Sequence, residues 1–324
     1  MDAHTRELLA GSVRKLLAAA PAGGSVRAAL AELGWDDVLA DDPAAATTIL
    51  FTEQGRMLAR TRALEDPVLA ELTSVLGPSP AGRAWVHPHP AALNPADAAP
   101  AAGPATTGLV TGGLDGVTEL VVPLRVGHSV HAAVVGVDAV LATPLDTFDR
   151  DLGWSRITLV EEPTAPVELG VLWPAAVAAA RRALAAEILG IGRAMLELAV
   201  EHTRVRTQFG RPIASFQAVR HRLAEAHTAL AGCAELLEAA WVDGSPWSAG
   251  LAKQSAGHRH AEVSRHALQV CGAIGLSEEH RLHRYVSRGV VLDALYVSHQ
   301  LLDEQIGRQL LAQPGTALPR VVQL

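Results

Sequence analysis

Residues 206–213 read Arg206-Thr207-Gln208-Phe209-Gly210-Arg211-Pro212-Ile213, and the run continues through Phe216-Gln217, Val219, His221 and Leu223-Ala224. It stands between two long stretches, 174–203 and 214–241, with no proline after Pro174 and with apolar residues at helical spacing. A basic residue at the end of the first helix interacts favourably with its last carbonyls. Gly210 and Pro212 supply a stop and a new start, and Ser215 is placed to cap the second helix. Helix punctuation of this kind accounts for each residue singly, but it does not require the whole string.

Working outward, helices are predicted over roughly 247–271 and 278–312. Together with the first two they make four long antiparallel helices whose apolar stripes demand a bundle. Upstream the texture changes. From Thr106 to about Glu162 the pattern is strand-like: 107–111 and 117–122 flank Gly112-Gly113-Leu114-Asp115-Gly116, which reads as a hairpin, and further strands fall near 129–136 and 155–160. Residues 78–104 are rich in Pro, Ala and His and read as a linker or surface excursion. Residues 3–77 carry short helices, with Gly34 a natural stop and Gly77-Pro78 the end of the zone. The expected fold is mainly α with a central antiparallel β domain: residues 1–80 helical, 81–168 β, and 169–324 a helical bundle.

The composition bounds the function. Of 324 residues, 49% are apolar and 19% charged, enough for a large core. A net charge of -7 provides no basic field for nucleic acid. The two cysteines, Cys233 and Cys271, form no ligand spacing and no disulfide framework, and the N-terminus lacks the pattern of a signal peptide. Charges interrupt every candidate membrane span. A cytoplasmic protein is expected. Gly190-Ile191-Gly192 lies inside a helix with no strand before it, so it is no dinucleotide loop. His87, His89, His258, His260, His280 and His283 lack the companions of a tetrahedral metal site, and His87 and His89 read as solvated loop residues. No metal is expected.

The string from Arg206 to Ala224 resembles the signature of the acyl-CoA dehydrogenase C-terminal domain. Gln269-Val270-Cys271-Gly272-Ala273-Ile274-Gly275 resembles the same family's glycine turn between the last long helices, with Ala273 in place of one glycine. The resemblance implies FAD lying across a subunit interface. Arg206 would contact the pyrophosphate, with Gln208 and Phe209 nearby. Gln269 and the backbone of Gly272, Ala273 and Gly275 would hold the ADP half of a flavin bound chiefly by a neighbouring chain. A forked guanidinium and closely approaching amides suit such an anion. Ser298 and Gln300 fall where the family has a flavin-contacting Thr-x-Gln. An acyl-CoA substrate and an external acceptor such as an electron-transfer flavoprotein are implied.

Two departures qualify that inheritance. The family's glutamate base falls at Tyr296, or with a one-residue slip at Val297, and its alternative position on the first long helix is Ala180. Glu187 and Asp293 are the nearest carboxylates, and both read as surface or interhelix polar groups. No loop between Trp85 and Leu109 matches the family's flavin-ring cradle. The pattern implies a non-catalytic partner in a heteromeric assembly, by analogy with the α2β2 enzymes of actinobacterial steroid side-chain degradation. The alternatives are a self-sufficient homo-oligomer using Glu187 or Asp293, and a flavin-free scaffold.

Overall fold

The structure, a computed structural model, describes residues 1–20, 22–101 and 107–312. Six helices open the chain: α1 (Ala3–Ala19), α2 (Arg27–Glu32), α3 (Trp35–Asp41), α4 (Pro43–Met57), α5 (Glu65–Glu71) and α6 (Thr73–Leu76). Local chemistry sets their ends. Asp2 and Asp42 cap α1 and α4 by accepting from Thr5 N and Ala45 N, and Pro43 occupies the first turn of α4. Gly34, at φ 71°, supplies the left-handed residue between α2 and α3.

The Pro/Ala/His-rich stretch is not a linker. It contains β1 (Arg83–Trp85), β2 (His87–Pro88), β3 (Leu93–Asn94) and β4 (Ala99–Pro100). There follow β5 (Thr107–Thr111), β6 (Glu119–Val126), β7 (Ser129–Gly136), β8 (Val140–Pro144), β9 (Trp154–Leu159) and β10 (Val167–Glu168). They form two four-stranded sheets, ordered β1-β6-β7-β10 and β2-β5-β9-β8, while β3 pairs with β4. The β1–β6 pair is parallel and the others are antiparallel.

The expected hairpin across Gly112–Gly116 does not form, because β5 and β6 belong to different sheets. The glycine segment instead carries the chain from one sheet to the facing one. That crossing lets Val110 and Ile157 of one sheet pack on Ala84, Leu120 and Val122 of the other, in a core of their own. Facing sheets bury both apolar surfaces more completely than a side-by-side pair would.

The C-terminal region holds α7 (Leu172–Val205), a small hairpin of β11 (Thr207–Gln208) and β12 (Arg211–Pro212), α8 (Gln217–Asp243), α9 (Pro246–Cys271), α10 (Leu282–Ala294) and α11 (His299–Ala312). The expected fourth helix is thus two, broken at 295–298. Ser215 does not cap α8: it ends a short 3₁₀ turn, Phe216 takes the cap position without a side-chain bond, and the buried Ser215 hydroxyl has no partner.

α7 is the spine. Its run from Ala176 to Gly192 is buried throughout, and small residues let its neighbours approach. At Gly55 and Gly190, α4 and α7 touch backbone to backbone: a Cβ on either would collide with a carbonyl of the other helix, that of Glu187 or Thr52 respectively. One apolar core runs through Phe51, Trp85, Val121, Leu184, Ile188 and Leu302, so helices, sheets and bundle share it. Among the described residues no helix is long and apolar enough to cross a membrane, and no group of three or more metal-ligating side chains is assembled. Both cysteines are free and buried.

Candidate functional site

The break between α10 and α11 coincides with the position expected for the family's base. Tyr296 and Val297 there have φ of 52° and 80°. Such left-handed backbone is uncommon for non-glycine residues, costs about 1–3 kcal/mol each, and persists only where surroundings enforce it. The enforcement is visible. The Tyr296 hydroxyl, buried in a side chain only 1% exposed, accepts from Trp85 Nε1 at 2.9 Å and lies 3.0 Å from His87 Nδ1. Arg181 Nε donates to the Tyr296 carbonyl at 3.2 Å.

Trp173 packs 6.2 Å from Trp85, and Trp154 meets the edge of His87 at 6.1 Å. Side chains from β1, β2, β9, α7 and the 295–298 turn therefore fill this place. His87 is fully buried, not solvated as its loop-like sequence suggests. Burial pushes its pKa down to about 3, so it is neutral, and raises the Tyr296 phenol above its usual range. Nothing in this cluster is a carboxylate base.

Neither of the two fallback carboxylates is free. Glu187 is buried between α4 and α7, where Gln54 Nε2 donates to it at 3.0 Å. Burial pushes its pKa up to about 7 against the opposing pull of Arg288 and Gln54. Arg288 is itself buried, and it is ion-paired with Asp149 and donates to the Ala59 carbonyl. Asp293 accepts from Lys253, which has no exposed surface, at 3.1 Å and contacts His299 Nδ1 at 2.7 Å. Burial raises the Asp293 pKa, but Lys253 and His299 more than reverse this and hold it well below the carboxylate range. Both are interhelix polar groups; neither is on the surface. Lys253 carried no signal in the sequence beyond a lysine on an otherwise small-residue helix face.

The residues of the long string lie on the outside. Arg206 ends α7, with its amide donating to His202 O, and its carbonyl accepts from Ile213 N at 2.8 Å across the β11–β12 hairpin. Its side chain is exposed and makes no hydrogen bond or ion pair among the described residues. Gln208 is exposed on β11, and Phe209, in left-handed backbone at the tip, is 91% exposed. Its ring meets Phe216, over which the Arg211 guanidinium lies 4.4 Å from the centroid.

Gln269 is exposed near the end of α9, and Gly272, Ala273 and Gly275 form the 3₁₀ turn after it. Gly272 has φ 67°, and a Cβ there would meet nothing within 4 Å, while its amide caps α9 by donating to Leu268 O. Gly275 is different: it is buried, and a Cβ would press on Cys271 and Leu282. His202 of α7 lies 6.1 Å from His280, just past this turn, so both motifs occupy one end of the bundle. Ser298 and Gln300 do not join them. They line a cavity of about 370 Å³ with Asp293 and His299, against Gly257, His260 and Ser264 in the middle of α9.

The comparisons with known proteins fit this architecture. Residues 174–310 match the family model for the acyl-CoA dehydrogenase C-terminal domain. The acyl-CoA dehydrogenase IpdE2 of Mycobacterium tuberculosis is 33% identical over 148 residues, which span 45% of this chain and 45% of the relative. The alignment thus reaches about half the length of that curated protein. Beyond the matched region the likeness is one of fold. A variant of the Tcur3481–Tcur3483 steroid ACAD superposes with a TM-score of 0.78 at 21% identity, covering 95% of this chain and 98% of that one. The ChsE4–ChsE5 complex from Mycobacterium tuberculosis gives 0.72 at 21%, covering 97% and 99%. A glutaryl-CoA dehydrogenase from Mycobacterium smegmatis, solved in complex with FADH2, gives 0.73 at 13%, covering 98% and 97%.

Proposed function

We propose that this chain is the non-catalytic partner of a heteromeric acyl-CoA dehydrogenase, completing from outside the FAD site of a second, catalytic subunit. The observation that carries the reading is the Tyr296 hydroxyl held by Trp85 and His87 where the family's base would stand. The place is occupied by packed aromatic rings, and neither Glu187 nor Asp293 is a free carboxylate. The heteromeric ChsE4–ChsE5 complex and the Tcur3481–Tcur3483 steroid ACAD, which share this fold, support an assembly of unlike subunits and a steroid side-chain CoA thioester as the substrate class.

The outward residues fit a flavin reached from a neighbour. An exposed, unpaired guanidinium at Arg206 presents donors to a pyrophosphate, and the uncrowded glycine turn at Gly272 leaves room for an approaching group. The bare Phe209 ring and Gln208 offer a surface and a polar group beside it. Gln269 would hold the ADP half together with Ala273 and Gly275. Ser298 and Gln300, beside the middle of α9, would contact flavin from a separate surface. When bound, FAD supplies the hydride acceptor for α,β-desaturation, and an external carrier such as an electron-transfer flavoprotein takes the electrons onward. This chain's part is to bind and orient the cofactor while the partner supplies the base.

The test is flavin content and turnover of the chain purified alone and together with a co-expressed second subunit. The expected result is a nearly colourless, inactive protein alone and a yellow, active complex with fewer flavins than chains. A homo-oligomer carrying one FAD per chain and oxidising an acyl-CoA without a partner would overturn the proposal.

A further inference from the structure

Away from the Tyr296 cluster, a cavity of about 520 Å³ opens between the N-terminal helices and α7 and α8. Small-molecule sites run from about 300 to 1,000 Å³. Leu30, Trp35, Leu39 and Phe51 give it an apolar wall. Arg182 of α7 and Trp241 of α8 close the other side, with the guanidinium stacked 4.6 Å above the indole. Neighbours in sequence, Arg181 and Arg182 have different fates. Arg181 donates to Tyr296, whereas Arg182 makes no hydrogen bond or ion pair among the described residues.

Arg182 is 7% exposed, and its Nε and Nη1 are buried without a partner, as is Nε1 of Trp241. Buried polar groups are rarely left this way, and a buried cation rarely so. Arg182 and Trp241 both line the cavity, which also carries Asp36, Asp66 and Glu71, and three of their donors lack an acceptor. The nearby acids do not supply it. Asp66 is held by Arg27, and Glu71 attracts Arg182 without reaching ion-pair distance. Burial pulls the Arg182 pKa down, as a cation without a direct partner requires.

We infer that this cavity binds a carboxylate with an apolar body, of the class of a medium-length fatty acid: the carboxylate on Arg182 and Trp241, the hydrocarbon against Trp35, Leu39 and Phe51. The guanidinium donates to a carboxylate oxygen, and the apolar wall excludes a bare inorganic anion as the best occupant. The inference is independent of the flavin reading, because it concerns the chain by itself and a different face of α7.

The test is calorimetric titration of the full chain with decanoate, with decan-1-ol and acetate as comparisons. Decanoate is expected to bind saturably, and both others at least about tenfold more weakly. Arg182→Met is expected to lose about tenfold or more for decanoate while keeping its decanol affinity. Trp241→Phe, which keeps the ring and deletes the donor, should lose several-fold. Equal affinity for decanoate and decanol, no decanoate binding below about 1 mM, or unchanged decanoate affinity in a folded Arg182→Met protein would each overturn the assignment. If Arg182→Met fails to fold, the wild-type preference of decanoate over decanol decides alone.

Discussion

The indole Nε1 of Trp85 donates to the hydroxyl of Tyr296 across 2.9 Å, although 211 residues separate them in the chain. The bond ties the edge of the first sheet to the turn between α10 and α11, and His87 meets the same oxygen from the other sheet. One phenol thereby fixes both sheets of the β domain against the bundle, at a turn whose backbone is held in left-handed conformation. Tyr296→Phe keeps the ring but leaves Trp85 Nε1 buried without an acceptor. A loss of about 1–3 kcal/mol is expected, measured by urea denaturation. A Trp85→Phe/Tyr296→Phe double-mutant cycle should show strong coupling. Additive effects would mean that the bond does not hold the turn.

Glu187 gives a pH dependence with a definite sign. Its folded pKa, about 7, lies above its ordinary value of 4.5. The folded state therefore binds a proton more tightly than the unfolded chain. The stabilisation is fully present below about pH 4.5 and is lost as pH rises through about 7. Glu187→Gln removes this dependence. Between pH 4.5 and 7.5 the wild type should lose roughly 2–3 kcal/mol relative to the variant, since one pKa unit is about 1.4 kcal/mol. The raised Glu65 and the lowered His87 and His260 are present in both proteins, so they cancel in the difference. Parallel stability curves for the two proteins would contradict the burial argument. A fall in turnover of the assembled enzyme by about 10²–10⁴-fold would instead make Glu187 a general base.

Two helical glycines, Gly190 at the α4–α7 crossing and Gly232 on α8, separate packing from propensity. Alanine is the better helix former by about 1 kcal/mol, so Gly232→Ala on α8, where a Cβ would meet nothing within 4 Å, should stabilise the isolated chain by up to that amount. Gly190→Ala goes the other way. Its Cβ collides with the Thr52 carbonyl, a backbone atom that cannot rotate aside, so the helices must part. A net loss of about 1–3 kcal/mol or more is expected by thermal or urea denaturation. Similar effects of the two substitutions would refute the close crossing.

These cases also show where reading the sequence stops. The order of helices, strands and bundle was legible because it is written in local periodicity, and Gly34 and Gly77 were read as stops for the same reason. The sequence places Gly190 and Gly192 inside a helix but gives no reason for them, since that reason is α4 and Leu230, remote in sequence. The Pro/Ala/His stretch looked like a linker because strands of two or three residues have no measurable period. Their partners lie in β5, β6 and within the stretch itself. Gly112–Gly116 carries the turn chemistry of a hairpin, but turn residues cannot say whether the next strand pairs beside the last or crosses to a facing sheet. Tyr296 was read as the absence of a carboxylate. What replaced it, a phenol bonded to Trp85 and His87, depends on contacts more than 200 residues apart.

Arg206→Ala decides between the two accounts of the most family-like residue in the chain. As a helix terminus, Arg206 needs only its backbone: its amide bonds His202 O, its carbonyl accepts from Ile213 N, and neither depends on the side chain. Since the guanidinium is exposed and unpaired, its removal should change the stability of the chain by no more than about 0.5 kcal/mol. If it contacts the flavin pyrophosphate, the same substitution removes charge-assisted hydrogen bonds worth about 1.5–3 kcal/mol. FAD affinity should then fall by roughly one to two powers of ten. The expected outcome is an Arg206→Ala complex that assembles and melts like wild type but binds FAD at least about tenfold more weakly by flavin fluorescence. Gln269→Ala, on a different helical connection at the same end of the bundle, should weaken FAD binding independently. Wild-type FAD affinity in both assembled variants would leave the exposed guanidinium and the glycine turn without a ligand, and the proposal that this chain completes a flavin site would fall with them.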